Sequence, residues 1–205
     1  MTNKQIAIFS YLDELYPNAH CELNYSKDYE LLIAVMLSAQ TTDKAVNNVT
    51  AVLFNKYKSV DELANASLVD IEHIISKIGM FKVKAKNVIG IAKGLVEKHN
   101  GVVPHNKEQL MNLPGVGNKT ANCVLAELFN EPYLAIDTHM QRFAKRLGIA
   151  KNKDSVEIME NKYLKFIPQE RAIKTNHQII WFGRYKCKAI SPQCEDCKLF
   201  EFCKK

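Results

Sequence analysis

One rhythm runs the length of this chain. Apolar side chains return every three or four positions, and no segment alternates apolar with polar as a half-buried strand would. Ile6, Phe9, Leu12 and Leu15 recur at helical spacing until Pro17 stops the run. Glu30 to Leu37 is apolar nearly all round, which marks a helix enclosed by others. Thr42 opens a helix that places Val46, Val49 and Leu53 on one face. Ser59 and Glu62 have the spacing of a capping box; Ser67 and Asp70 make a weaker start to a helix ending at Gly79. Residues 82–98 carry Val88, Ile91, Ala92 and Leu95 on one stripe, closed by Gly101 and Pro104. A short helix is predicted around Leu110, with others through Phe129, from Thr138 to Gly148, over 155–167 and over 169–182. Such a chain folds as an all-α protein with short connections.

The 205 residues, 47% of them hydrophobic, suffice for one large domain or two small ones. A formal charge of +6 favours an anionic partner such as nucleic acid. The first residues lack the apolar core and cleavage site of a signal peptide, and no apolar run approaches a membrane span. These features predict a soluble, cytoplasmic protein, whose six cysteines are reduced thiols or metal ligands rather than disulfides.

The first chemical signal is Leu113-Pro114-Gly115-Val116-Gly117, followed by a helix that begins near Lys119. Gly115 and Gly117 can take positive φ angles, so the chain can reverse within a few residues. Their missing side chains let backbone N–H groups approach a ligand, and a helix start adds unpaired donors and positive dipole. Together these form a seat for phosphate. A plain corner between two helices would need the same glycines.

Lys119 lies in the first turn of that helix, where the dipole disfavours an ammonium. A neutral amine is a nucleophile, although a lysine beside such a turn also suits a phosphate contact. In Ala135-Ile136-Asp137-Thr138-His139, Asp137 follows a short apolar run and precedes a helix. It has the place of an ordinary N-cap, and a carboxylate there could also stabilise a developing cation or accept a proton.

The second signal is Cys187-x6-Cys194-x2-Cys197-x5-Cys203. Four thiols so close in sequence can converge on one centre. The spacing alone leaves both zinc and an iron–sulfur cluster open. Cys21 and Cys123 fall outside the pattern and read as small buried core residues.

The hairpin with Lys119-Thr120-Ala121, the Ile-Asp-Thr-His run and the four spaced cysteines together resemble the endonuclease III family of helix–hairpin–helix DNA repair enzymes. The resemblance spans about residue 5 to Cys203. It implies a two-domain fold: a six-helix domain over 22–131, with the hairpin at about 107–126, and a second of 1–21 plus 132–205. By matching position, Lys119 is the nucleophile and Asp137 its electrostatic and proton-transfer partner. The family's activity is removal of oxidised pyrimidines from duplex DNA, then β-elimination at the abasic site through a lysine Schiff base. The four cysteines would hold a [4Fe–4S] cluster, and the partner is duplex DNA with damaged bases or abasic sites, bound by a monomer.

Gly115, Val116 and Gly117 would grip the DNA backbone. Leu37-Ser38-Ala39-Gln40-Thr41-Thr42-Asp43 resembles the turn whose glutamine fills the stack left by an extruded base, which assigns that role to Gln40. Ile78-Gly79-Met80-Phe81 resembles a second wedge and assigns Met80. Asp43 would line the pocket or sit in the first turn of its helix. Lys82, Lys84 and Lys86 read as a solvated face. Two other readings fit parts of the pattern. Adenine-mismatch glycosylases share the fold but lack a lysine at the position of Lys119. A non-catalytic hairpin protein with a zinc site would keep the turn and the thiols.

Overall fold

The computed structural model of the chain describes residues 1–204, and every regular element among them is helical. In order these are α1 (Asn3–Leu15), α2 (Asp28–Leu37), α3 (Asp43–Lys56), α4 (Val60–Ala64), α5 (Leu68–Ile74) and α6 (Phe81–His99). Then follow α7 (Lys107–Met111), α8 (Asn118–Phe129), α9 (Thr138–Arg146), α10 (Val156–Phe166) and α11 (Ala172–Trp181). The chain divides into two compact units, Glu22–Phe129 and Met1–Cys21 with Asn130–Lys205. No helix among the described residues is long and apolar enough to cross a membrane.

The unit Glu22–Phe129 holds seven helices, α2 to α8, where the resemblance implied six. Its centre is α2, buried from Tyr29 through Leu37 and packed against α3, α6 and α8. Glu30 is buried there too, and its carboxylate accepts the N–H groups of Ser26 at 2.7 Å and Lys27 at 3.3 Å. That capping satisfies a charge which burial would otherwise penalise. Val46, Val49 and Leu53 of α3 face the same core.

At α4, Ser59 Oγ accepts from the Glu62 N–H at 3.1 Å, but the Glu62 carboxylate reaches back to the Lys58 N–H at 2.6 Å, one residue earlier than a capping box. Ser67 makes no side-chain cap, and the Asp70 carboxylate is engaged elsewhere, by Lys56 at 2.6 Å. Helix α5 stops at Ile74, short of the expected Gly79.

Helix α6 gives the hairpin its place. A Cβ on Gly90 would stand 2.8 Å from Pro114 Cγ, and one on Gly94 would stand 2.6 Å from Leu113 Cδ2. The two glycines thus leave a groove into which the Leu113–Pro114 edge of the turn settles.

In the other unit, α1 packs on α11 through Ile8, Phe9, Tyr11 and Leu12. Ile6, expected on the buried face, is 47% exposed. Aromatic partners set the rotation, with Phe9 beside Phe166 at 5.9 Å and Tyr11 beside Phe182 at 6.2 Å between ring centres. A 3₁₀ turn, Gln169–Arg171, leads into α11, and a π-helical turn, Phe182–Lys186, prolongs it beyond its expected end.

The groove on α6 yields a paired prediction. Gly90→Ala is expected to lower stability by about 1–3 kcal/mol, since the proline ring has nowhere to rotate. This loss outweighs the roughly 1 kcal/mol by which alanine favours a helix. Gly94→Ala is expected to be neutral or stabilising, because a leucine tip can turn aside. Urea denaturation of both variants tests this, and equal effects would contradict it.

Candidate functional site

Asn106 caps α7, its Oδ1 accepting from the Gln109 N–H at 3.0 Å. The turn then closes in two steps, Leu113 N–H to the Leu110 carbonyl at 3.0 Å and Val116 N–H to the Leu113 carbonyl at 3.2 Å. Gly115 has φ +75°, and a Cβ there would lie 2.4 Å from Asn87 Nδ2 of α6, so both backbone and space demand glycine. Gly117 does not adopt the expected left-handed conformation. A Cβ on it would meet nothing within 4 Å, so its role is to leave backbone bare rather than to turn it. Val116 is buried, and its N–H is used by the turn itself. A phosphate seat here therefore draws on the neighbouring glycine backbone and the start of α8. Lys119 is the second residue of α8, with its side chain exposed.

Two further turns of this unit carry the residues assigned to duplex opening. Gln40, past the end of α2, has φ +55°, and Met80, the N-cap of α6, has φ +59°. Side-chain-bearing residues seldom adopt this conformation, and it gathers at sites of function. Gln40 is exposed, and Met80 is 59% exposed, which excludes a core role for the methionine. Asp43 occupies the first turn of α3.

Lys82 and Lys86 are solvated as expected, but Lys84 is not. Its side chain turns inward because its ammonium has fixed acceptors there, the Ala39 carbonyl at 2.8 Å and Thr41 Oγ1 at 2.9 Å. Burial pushes that ammonium below its usual pKa.

In the second unit, Asp137 caps α9, its Oδ1 accepting the Met140 N–H at 2.8 Å. The buried run Leu134-Ala135-Ile136 delivers it, held by the Ala135 N–H to Asn176 Oδ1 at 3.2 Å. Tyr163, fully buried, donates its hydroxyl to the Met140 carbonyl at 2.7 Å and fixes the same first turn. Burial raises that phenol far above its ordinary pKa, which keeps it a donor.

His139 lies 3.0 Å from Arg142 Nη2 through Nδ1. Burial likewise pushes the imidazole down, toward its neutral form. Arg142 also donates to the carbonyls of Gly183 at 2.8 Å and Cys187 at 2.9 Å. A Cβ on Gly183 would stand 2.6 Å from His139 Cβ, so the π-helical turn and α9 meet at a glycine. One turn on, Arg146 donates to Cys187 Sγ at 3.1 Å and to the Lys188 carbonyl at 2.9 Å.

Cys187, Cys194, Cys197 and Cys203 line one space, partly open to solvent, together with Phe182 and Arg146. They stand around it rather than closing on a single ion, and no three metal-ligating side chains among the described residues do so. Burial raises the Cys197 thiol pKa. Ser191, in the loop between the first two cysteines, is again left-handed, at φ +49°. Cys21 and Cys123 are half-buried rather than the buried core residues expected.

Sequence reasoning missed Lys84, Asn87, Gly90, Gly94, Arg142, Arg146, Tyr163, Asn176 and Gly183. The glycines carried a signal in their four-residue spacing inside a helix. The arginines carried one in their placement one turn apart, following Asp137.

Residues 33–169 match the family model described as HhH-GPD superfamily base excision DNA repair protein. Endonuclease III of Bacillus subtilis (strain 168) is 44% identical over 193 residues, covering 94% of this chain and 88% of its own. Endonuclease III of Haemophilus influenzae is 43% identical over 200 residues, covering 98% and 94%. The solved structure of a trapped endonuclease III–DNA covalent intermediate superposes with a TM-score of 0.93 at 44% identity, covering 100% of this chain and 97% of that one. With the hairpin, the capped aspartate and the cysteine-lined space in place, the chain belongs to the endonuclease III family of base excision DNA repair enzymes, which act as DNA glycosylases and abasic-site lyases.

Proposed function

We propose that this enzyme removes oxidised pyrimidines such as thymine glycol from duplex DNA and then cuts the strand by β-elimination, acting as a cytoplasmic monomer. The observation that carries the reading is an exposed lysine in the first turn of α8, immediately after a hairpin built to leave its backbone bare. Support also comes from the covalent DNA intermediate trapped in a protein 44% identical to this one.

In this reading the Lys119 amine attacks C1′ of the damaged nucleotide. The N-glycosidic bond breaks, and its electron pair and a proton leave with the base. Loss of the second amine proton and ring opening give an imine between Lys119 and C1′. That imine acidifies the C2′ proton, whose removal expels the 3′ phosphate. Water then hydrolyses the imine and frees the lysine. Asp137 stabilises positive charge at the sugar and takes a proton from the attacking amine. Gly115, Val116 and Gly117 seat the phosphate backbone without reading sequence. Gln40 fills the vacated stack, and Met80 wedges the adjacent step.

The four cysteines share one lining, a thiolate donor set that fits a [4Fe–4S] cluster, and the family resemblance of their spacing favours the cluster over zinc. Cys187, Cys194, Cys197 and Cys203 would hold the cluster, which would cross-link the loop they span. Arg146 would then donate to a ligand sulfur and tie α9 to that loop.

Borohydride trapping on abasic DNA is expected to yield a covalent adduct with the parent protein and none with Lys119→Ala, which should still bind the DNA. Adduct at the parent rate in that variant would remove Lys119 from the chemistry. Asp137→Asn keeps a capping oxygen, so its melting temperature should hold while single-turnover rate falls roughly 10²- to 10⁴-fold. Met80→Gly and Gln40→Gly should keep or raise stability by up to about 1 kcal/mol, by relieving left-handed strain, yet slow base removal from paired duplex. Cys197→Ser should lose visible absorbance together with stability or DNA affinity; normal values for all three would contradict the cluster.

A further inference from the structure

The buried ammonium of Lys84 has no part in the chemistry just described. Lysine is seldom buried unless a partner holds it. No carboxylate among the described residues pairs with this one. Its contacts are the Ala39 carbonyl at 2.8 Å and Thr41 Oγ1 at 2.9 Å, one on each side of Gln40. These atoms follow the C-terminal end of α2, where orphan carbonyls and the helix dipole attract a cation. The Thr41 N–H closes the same turn onto the Ser38 carbonyl at 3.0 Å. On its own helix, the Lys84 N–H donates to the Met80 carbonyl at 3.0 Å and so forms the first turn of α6. One residue therefore holds both left-handed positions, Gln40 through its side chain and Met80 through its backbone.

We propose that Lys84 is a positioning residue that locks the Gln40 turn to the start of α6, so that both wedges meet the duplex as one rigid element. The proposal rests on the reading of Gln40 and Met80 as the residues that enter the stack. An exposed turn with a left-handed glutamine would otherwise be ordered only on entering DNA, and that entropy would be charged to nucleotide extrusion. Lys84 has the turn ordered in advance, in the folded protein. A phosphate contact is excluded as its role by the burial of its side chain.

The test uses Lys84→Met, which keeps the length and removes the charge, and Thr41→Val, which removes one acceptor and leaves Lys84 in place. Single-turnover base removal is measured on thymine glycol in fully paired duplex and in a mismatched bubble, where unstacking is already done. Both variants are expected to lose roughly 10- to 100-fold on paired duplex and less than about threefold on the bubble, as misplacement of a positioning element would do. Amide exchange at Ala39 to Thr41 should quicken in both, with the rest of the Glu22–Phe129 unit unchanged.

Equal losses on the two substrates would overturn the role, reducing Lys84 to general structural support. So would parent rates on both. If Lys84→Met does not fold, Thr41→Val decides the matter alone. A parent protein inactive on both substrates would overturn the repair reading itself and this role with it, an outcome distinct from variant losses measured against an active parent.

Discussion

The fit of the Leu113–Pro114 edge into the glycine groove of α6 is the contact on which one unit's functional geometry depends. The same helix starts at Met80, anchors the Gln40 turn through Lys84, and sets Asn87 under Gly115. Met80, Lys84, Asn87, Gly90 and Gly94 follow one another by four, three, three and four residues, along one side of the helix. At the rise of an α-helix, fourteen residues span about 21 Å. Helix α6 is thus a rigid bar along which the Met80 turn and the glycine hairpin are set at a fixed separation. The adjoining face of the bar, with Val88, Ile91, Ala92 and Leu95, is held in the core.

In the other unit, α9 has an equivalent task. Its start is overdetermined, by the Asp137 cap, by Asn176 on the preceding strand-like run and by the buried Tyr163 hydroxyl. Its end is tied to the cysteine loop by Arg142 and Arg146. A change in the loop between Cys187 and Cys203 is therefore passed to the carboxylate by a short, stiff path of one helix. The cysteine loop and the Asp137 cap are thereby coupled through placement alone.

The helices, the hairpin turn and the gathering of the four cysteines were legible because their signals are local. Periodicity marks a helix, a glycine pair marks a turn, and cysteine spacing marks a shared centre. What escaped was whatever depends on distant partners. Lys84 sits between two exposed lysines, and nothing in its neighbours announces that Ala39 and Thr41 wait inside. Gly117 looked like a second reversal, but one left-handed residue at Gly115 was enough. The face of α1 was misjudged because Phe166 and Phe182, more than a hundred residues away, choose its rotation. The π-helical turn sets Gly183 against His139, a contact that no local pattern encodes.

The division of the chain has a consequence for biosynthesis. Helix α1 leaves the ribosome first, but its apolar partners on α11 emerge only some 160 residues later. In the interval Glu22–Phe129, a continuous stretch, can fold by itself while Ile8, Phe9 and Leu12 remain without a home. The unit bearing Asp137 and the four cysteines closes last, when α1 and the segment that follows Phe129 are both present. A nascent chain stalled before α11 would thus carry a finished hairpin and lysine with no completed counterpart, and would offer its leading helix to any holdase nearby.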